Sequence, residues 1–444
     1  MGRDAAGIAN CVYPLARGSQ SARRDSSAAR FPAAPMRVLM LSWEYPPVVE
    51  GGLARHVRKL SEQLVRDGVE VHVLTRGGGR LGEREERHGV IVHRVREPEF
   101  PRDDLDAFIA WVDHMNADLR AVGEELGDGF DLVHSHDWLV ADAARRLART
   151  LGVPWLVTVH ATEYGRHQGW VDKHPQSRIH AVERRMVRAA DRVITCSHYM
   201  RGHVADVFGV RPSRVTVIPN GIDPTDLQPV ADLPRLRAAF AAPDEKLVLM
   251  VGRLVYEKGF HLALDAMPRL ISRLGRVRFL VAGSGTAEAE LKAQAQRLGL
   301  MEHGSFVGWT GDEVLHSYYR IADLCVVPSL YEPFGLVALE AMASGCPTIV
   351  ADTGGLREVV PAGRRVGLRF RARDPRSLAR MAEQLLADDE LRDRLVAEAS
   401  EHILGFDWAD VARQTAAVYA ELRTGRVGTP ATDAPASTGP RTSA

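Results

Sequence analysis

Short apolar segments alternate with amphipathic helical segments along most of the chain, and this alternation restricts the fold more than any other feature. RVLMLS, at residues 37–42, has the composition of a buried strand, and the following segment places Val57, Leu60, Leu64 and Val65 on one helical face. Later strand candidates are VEVHVLT, GVIVHRV, DLVHSH, VPWLVTVH, RVITCS and VTVIP. Near-continuous apolar strands separated by helices predict a parallel sheet that is covered on both faces.

The same alternation starts again at residue 246, where the strand KLVLMVGRL is followed by the helix HLALDAMPRLISRL. The sequence therefore predicts an α/β protein with two doubly wound domains that face a central cleft. The predicted parts are a disordered extension (1–35), a first Rossmann-like domain (36–224), a second Rossmann-like domain (225–405), a C-terminal helix (406–425) and a disordered tail (426–444).

The composition of this 444-residue chain excludes several classes of protein. Lys+Arg and Asp+Glu both number 57, so no net basic field favours nucleic acid or an acidic membrane surface. No apolar run approaches the roughly 18 residues that span a bilayer. The four cysteines are scattered without CxxC spacing. We therefore expect a cytoplasmic protein without nucleic-acid partners and without membrane association.

Ligands of doubly wound sheets bind beyond the carboxyl ends of the strands. Gly51 and Gly52 follow the first strand and precede a helix, where a close backbone and free amide groups favour an anion. A tight turn without a ligand is the alternative interpretation. The pair does not match the G-x-G-x-x-G fingerprint, so a nicotinamide dehydrogenase fits poorly.

The second domain begins with two cations in the segment MVGRLVYEKGF. Arg253 follows the first strand of that domain and Lys258 lies five residues later. An arginine fork and a mobile lysine together can bind a diphosphate. Taken alone, they could equally be a solvated surface pair.

Two glutamates follow a later strand of the same domain, in PSLYEPFGLVALEAMASGCPTIVADTGG. Glu332 lies in the loop and Glu340 lies eight residues later on the helix, so we expect both to face one ligand. Gly335 and Leu336 lie at the helix start, whose free amides suit a phosphate. Two solvated glutamates on a helix are the alternative, but the segment between them is apolar and turn-like.

The order GG…GRL-x(3)-KG…E-P-F-G-L-x(3)-E resembles the retaining glycosyltransferases of family 4, which share the two-domain GT-B fold. The resemblance extends from residue 36 to about residue 422. It implies that residues 36–224 form the acceptor domain and that residues 225–405 form the nucleotide-sugar donor domain. It implies that Arg253 and Lys258 bind the donor diphosphate, that Glu340 binds the nucleotide ribose, and that Glu332 lies near the transferred sugar.

Two motifs of the first domain, HSHDWL and TVHATEYGRHQGW, are similar to the bacterial glycogen synthase and α-1,4-glucan synthase branch. The resemblance implies that His160 contacts the donor sugar and that Asp137 lies near the acceptor or donor hydroxyls. His134 and His136 alternate within a strand, so we expect them to support the fold. Asn220, in IPNGID at the domain junction, is expected to approach the reactive centre and the acceptor.

One position departs from the classical bacterial glycogen synthases, which carry K-T-G-G around the glycine pair. Here Val49 takes the place of the lysine and Glu50 follows it, so one cation expected near the donor is missing. This difference leaves the donor's base open. SWEYPPVV-x-GGL-x-RHV resembles instead the actinobacterial glucan synthases.

The sequence thus predicts a retaining glycosyltransferase that moves a hexosyl group, with glucosyl favoured, from ADP- or UDP-glucose and needs no metal or other cofactor. The expected acceptor is an α-glucan, a maltosaccharide or a sugar phosphate. The alternative is a mannosyl- or glucosyltransferase with a lipid-linked or small-molecule acceptor. A GT-B phosphorylase, a sugar-nucleotide epimerase or a non-catalytic nucleotide-sugar binding protein fits less well.

Overall fold

The computed structural model describes residues 36–77, 81–96, 101 and 105–425, and the strands of these residues form two sheets. The first sheet contains β1 (Arg37–Leu41), β2 (Glu70–Arg76), β3 (Arg84–Arg87), β4 (Val90–Val95), β5 (Leu132–His136), β6 (Trp155–Val159), β7 (Arg192–Thr195) and β8 (Val215–Val217). The second contains β9 (Lys246–Val251), β10 (Val277–Ala282), β11 (Gly304–Gly308), β12 (Leu324–Val327), β13 (Thr348–Ala351) and β14 (Leu368–Phe370).

Both sheets have the strand order of a doubly wound fold. The first runs β3-β4-β2-β1-β5-β6-β7-β8 and the second runs β11-β10-β9-β12-β13-β14. Every neighbouring pair is parallel except β3 and β4. The prediction of two parallel α/β domains is therefore confirmed.

Helices follow most of the strands. They are α1 (Gly52–Arg66), α2 (Leu105–Glu125), α3 (Ala141–Leu151), α4 (Glu163–Arg166), α5 (Gln176–Ala189), α6 (His198–Phe208), α7 (Leu233–Ala238), α8 (Phe260–Leu274), α9 (Glu288–Arg297), α10 (Asp312–Ile321), α11 (Leu336–Ala343), α12 (Leu356–Val359), α13 (Pro375–Ala387), α14 (Asp389–His402) and α15 (Trp408–Arg423). No helix in these described ranges has the length and apolarity needed to cross a membrane.

Burial follows the hydrophobic pattern of the sequence. Val57, Leu60 and Leu64 of α1 are buried against the first sheet, as expected for an apolar stripe with helical spacing, whereas Val65, predicted on the same face, is half-buried at its edge. Strands β5 and β6 are buried along their whole length because helices cover both faces of the sheet.

Strand β3 has no counterpart in the sequence prediction. Its residues REER contain no apolar side chain, and it pairs antiparallel with β4 at the edge of the first sheet. Three of its four residues are exposed. Charged side chains suit such an edge because they oppose pairing with another chain, and a periodicity search based on apolar residues cannot find the strand.

The C-terminal helix α15 returns to the first domain. Its residues Val411, Ala416 and Tyr419 are buried in one cluster with Val57 and Leu60 of α1. The predicted boundary between residues 224 and 225 falls in a short 3-10 helix, Pro224–Asp226. Along the chain, this helix follows the last strand of the first sheet and precedes the first strand of the second. The predicted disordered segments, 1–35 and 426–444, lie outside the described residues.

The cysteines within the described ranges pack as small core residues. Cys196, Cys325 and Cys346 are buried and form no disulfide. Burial raises the pKa of each of these thiols. Cys11 lies outside the described residues.

Candidate active site

The loops after β9 and β12 bring together a cation and a carboxylate that are 74 residues apart in the chain. Lys258 Nζ donates a hydrogen bond to Glu332 Oε2 over 2.8 Å, and Ser329 Oγ donates to the same oxygen over 2.9 Å. Glu332 is buried. The structure therefore places two of the predicted site residues in direct contact at the carboxyl edge of the second sheet.

Gly259 allows these two loops to approach. Its φ is +68°, and an added Cβ would collide with the carbonyl oxygen of Pro328. The amide of Leu330 also donates to the carbonyl of Glu257 over 2.8 Å. A larger residue at position 259 would separate Lys258 from Glu332, since the left-handed conformation and the close contact both favour glycine.

Arg253 lies after β9 beside a second cation that the sequence prediction missed. Its guanidinium is 3.7 Å from Glu257 and about half exposed. Burial, and then the positive charge of Arg166, lower the pKa of Arg253. Arg166 belongs to α4 of the first domain and interacts electrostatically with Asp137 and Glu257. Arginines from the two domains thus lie close enough to affect each other electrostatically, an arrangement that suits an anion between them.

Glu340 occupies a different environment from Glu332. It lies on α11, which begins at Leu336 directly after Gly335. The amides of Ala338 and Leu339 donate to the carbonyl of Gly335, whereas those of Leu336 and Val337 precede the first hydrogen bond of the helix. Glu340 Oε2 accepts a hydrogen bond from Tyr319 over 2.9 Å. Its Oε1 accepts one from Arg55 over 3.1 Å. Arg55 comes from the first domain and was not identified from the sequence.

The glycine pair lies where the two domains meet. Gly51 precedes α1, and a Cβ added at Gly52 would lie 3.0 Å from the side chain of Leu336. Two predicted donor-site elements, the glycine pair and the start of α11, are therefore adjacent.

The carboxylate of Glu44, from the same domain as the glycine pair, contacts two backbone amides at that pair. Glu44 Oε2 accepts hydrogen bonds from the amides of Glu50 (2.5 Å) and Gly51 (3.1 Å). Burial raises the pKa of Glu44 to about 7, although these two hydrogen bonds oppose the increase. The position of Glu44, three residues after β1, was a signal that the sequence prediction did not use.

His160 and Asp137 follow the adjacent strands β6 and β5. The amide of His160 donates to Asp137 Oδ1 over 2.7 Å. Burial raises the pKa of Asp137 to about 6 and lowers the pKa of His160 to about 3. His160 is therefore a neutral imidazole at physiological pH, and Asp137 fixes its backbone.

Further histidines surround His160. His136 Nδ1 and His160 Nε2 share a hydrogen bond of 3.0 Å, and the ring of His56 lies 4.6 Å from that of His160. His134 instead bonds Tyr419 and Thr158, each over 2.8 Å. His134 thus supports the fold as expected, whereas His136 also contacts a predicted site residue.

Among the described residues, one group of side chains has the spacing of metal ligands. It consists of His56, His136 and His160, whose ligand atoms lie within 4.8 Å of one another. Two of these rings already hydrogen-bond to each other.

Tyr331 links the loop that carries Glu332 to the segment after His160. Its hydroxyl accepts a hydrogen bond from the amide of Thr162 over 3.1 Å. Its ring packs on Gly165, where a Cβ would collide with it. Because Tyr331 precedes Glu332 directly, this contact sets the position of Glu332 relative to the first domain.

Asn220 lies at the junction of the two domains. It is buried and borders a cavity of about 230 Å³ whose walls include His56, Glu340 and Trp408. The neighbouring Gly221 packs against Trp408, which an added Cβ would approach to 2.6 Å. The structure therefore brings Asn220 and Glu340 to one cavity between the domains.

The comparisons with known proteins cover both domains. Residues 50–226 match the family described as Glycosyltransferase Family 4, and residues 234–402 match Glycosyl transferases group 1. The glycogen synthase of Mycobacterium tuberculosis is 40% identical over 404 residues, which is 88% of this chain and 96% of that protein.

A second relative and a solved structure agree with this match. The D-inositol 3-phosphate glycosyltransferase of Frankia alni is 36% identical over 380 residues, covering 82% of this chain and 92% of the relative. Sucrose-phosphate synthase from Thermosynechococcus elongatus superimposes with a TM-score of 0.76 at 26% identity, over 88% of this chain and 100% of that one. The chain therefore belongs to glycosyltransferase family 4 and is a retaining hexosyltransferase with the GT-B fold that uses a nucleotide-sugar donor.

Proposed function

We propose that this enzyme transfers a glucosyl group from ADP- or UDP-glucose to an α-glucan or maltosaccharide, in the manner of a glycogen synthase. The contact between Lys258 and Glu332 carries the proposal, because a cation and a carboxylate lie side by side at the strand ends, as the proposed binding of diphosphate and sugar requires. The match to a glycogen synthase over 96% of that protein supports the choice of sugar and acceptor.

Each charged group has one role in the proposed donor complex. Arg253 and Lys258 bind the diphosphate, and the amides at Gly335 and Leu336 add partial positive charge at the start of α11. Glu340 accepts hydrogen bonds from the ribose hydroxyls. The glycine pair allows the first domain to approach the donor closely. Each charge-assisted hydrogen bond contributes on the order of 1.5–3 kcal/mol.

The proposed reaction exchanges one bond at the anomeric carbon for another on the same face. The bond from C1 to the diphosphate oxygen breaks, and both electrons leave with the diphosphate. Arg253 and Lys258 stabilise that charge as it develops. The acceptor hydroxyl then bonds to C1, and its proton passes to the departing phosphate oxygen.

The carboxylate and the imidazole act on the sugar in this scheme. Glu332 supports the positive charge of the oxocarbenium-like state and is not proposed as a covalent nucleophile. His160 contacts the sugar as a neutral imidazole, positioned by the bond between its amide and Asp137. Asn220 approaches the acceptor, no metal takes part, and the reaction takes place in the cytoplasm.

A phosphorylated small acceptor is the second candidate. The 36% identity to a D-inositol 3-phosphate glycosyltransferase favours it, and so does Arg166, a cation of the first domain beside Asp137.

A radiolabel screen distinguishes the two candidates. ADP-, UDP- and GDP-sugars are each incubated with glycogen, maltosaccharides, glucose 1-phosphate and inositol phosphate. We expect label from ADP-glucose or UDP-glucose in glycogen or maltosaccharides. Label found exclusively in a phosphorylated small molecule would reject the glucan assignment.

A further inference from the structure

Arg55 makes a forked contact across the cleft. It belongs to the first turn of α1 in the first domain. Its Nη1 donates to Glu340 Oε1 over 3.1 Å, and its Nη2 pairs with Asp312 at the start of α10. Both carboxylates belong to the second domain. The planar guanidinium, with donors in a fixed fork, suits two carboxylates better than a lysine would.

Glu340 is therefore held from both sides. Tyr319, which is fully buried, donates to Oε2 from the same domain, while Arg55 donates to Oε1 from the other domain. Burial lowers the pKa of Arg55, but the charges of Glu340 and Asp312 outweigh it, so the net change is an increase. Each carboxylate oxygen has a second lone pair, so a ribose hydroxyl can bind without displacing either donor.

The helix that carries Arg55 touches α11 at two points. Gly52 lies against Leu336 at the start of α11, and Arg55 reaches Glu340 one turn further along. A shift of α1 relative to α11 would therefore break the hydrogen bond from Arg55 to Glu340. The same shift would move Gly52 away from the start of α11.

We propose that Arg55 is a positioning residue for the donor. It fixes the Glu340 carboxylate in the orientation that the ribose hydroxyls require, and it does so when the two domains are closed. Donor binding and the Arg55–Glu340 contact therefore stabilise each other. This inference rests on the proposed role of Glu340 at the ribose.

The same helix offers a matched control. Lys59, one turn after Arg55, pairs with Asp223 (3.0 Å) and Asp226 (2.5 Å) of the segment between the sheets. Like Arg55, Lys59 is therefore a cation of α1 that pairs with two acidic residues of another segment. The ion pairs of Lys59 with Asp223 and Asp226 involve neither Glu340 nor any other predicted donor residue.

The test measures binding of UDP and of ADP to the full-length protein by calorimetry, together with donor KM and kcat. We expect R55Q to weaken nucleotide binding and to raise donor KM by about tenfold, the effect of one charge-assisted hydrogen bond. The change in kcat should be smaller. K59Q should bind nucleotide as the wild type does, and R55K should recover part of the loss.

A double-mutant cycle shows whether Arg55 acts through Glu340. R55Q should have little further effect on nucleotide binding in the E340Q background, because the carboxylate it orients is absent. Additive effects, or equal effects of R55Q and K59Q, would overturn the proposal.

Two outcomes separate this inference from the proposed function. If E340Q weakens nucleotide binding and R55Q does not, the role of Arg55 is wrong and the donor site stands. If E340Q itself binds nucleotide normally, the ribose assignment fails and the role of Arg55 fails with it. Should R55Q not fold, R55K provides the same comparison against K59Q.

Discussion

Lys258 and Glu332 form a partly buried contact of 2.8 Å between Nζ and Oε2, with the hydroxyl of Ser329 on the same oxygen. The lysine comes from the loop after β9 and the glutamate from the loop after β12, and these two strands are neighbours in the second sheet. The contact fixes a positive and a negative group at one point of the sheet edge. In our account the first binds the departing diphosphate and the second faces the sugar.

Replacement of Glu332 should separate turnover from binding. E332A is expected to lower kcat by about 100-fold or more, the usual effect of losing one preorganised charged group at a reacting centre. The dissociation constant for UDP or ADP should change far less, because Glu332 faces the sugar. Calorimetry and initial rates measure the two quantities on one preparation, and normal turnover in E332A would remove Glu332 from the mechanism.

Replacement of Lys258 should act on donor binding as well. K258M removes a cation from the diphosphate and leaves the buried Glu332 without its ion-pair partner, so we expect donor KM to rise by about tenfold or more. A suitable control is K292M, since Lys292 pairs with Glu288 on the surface helix α9 over 2.7 Å. Equal donor KM values for the two variants would contradict the assignment.

Glu44 predicts an unusual pH dependence of stability. Its pKa is about 7 in the folded protein, against an ordinary value of 4.5, because it is buried. Between these values the folded protein holds a proton that the unfolded chain releases, so this group destabilises the fold as pH rises from 4.5 to 7. E44Q should therefore gain stability relative to the wild type as pH rises through that interval. Urea titrations at several pH values measure the difference, and parallel profiles would show that Glu44 does not titrate there.

His160 predicts the opposite trend at acid pH. Its pKa is about 3 in the folded protein, against an ordinary value of 6.5, because of burial. Between these values the unfolded chain binds a proton that the folded protein does not, so stability falls as pH decreases below 6.5. H160Q should lose less stability than the wild type between pH 7 and pH 5. An equal loss in both proteins would show that protonation of His160 is not the cause.

Lys258 and Glu332, which the sequence analysis assigned to one donor site, share a simple property. Lys258 and Glu332 each follow a strand, and parallel strands in a doubly wound sheet end at the same edge. Hydrophobic patterning therefore indicates the same sheet edge for both residues, and the contact between them appears in the folded structure. The roles of these side chains toward donor and acceptor stay predictions until they are measured.

The residues missed by the sequence analysis depend on contacts between distant segments. Arg55 lies on a helix face that pattern analysis interprets as solvated, and its partners Asp312 and Glu340 are more than 250 residues away. Tyr331 contacts the first domain through Thr162, 169 residues away. No periodicity or spacing specifies how two domains face each other, so such pairs become visible in the folded structure alone.

The anomeric outcome of a single transfer tests the central claim most directly. The wild type and E332A are incubated with ADP-glucose or UDP-glucose and a short maltosaccharide, and the new linkage is followed by proton NMR. We predict that the wild type makes an α-linked product from the α-linked donor. E332A should make it at a rate that is lower by about 100-fold or more. A β-linked product, no transfer to the maltosaccharide from either donor, or equal rates for the two proteins would contradict the account.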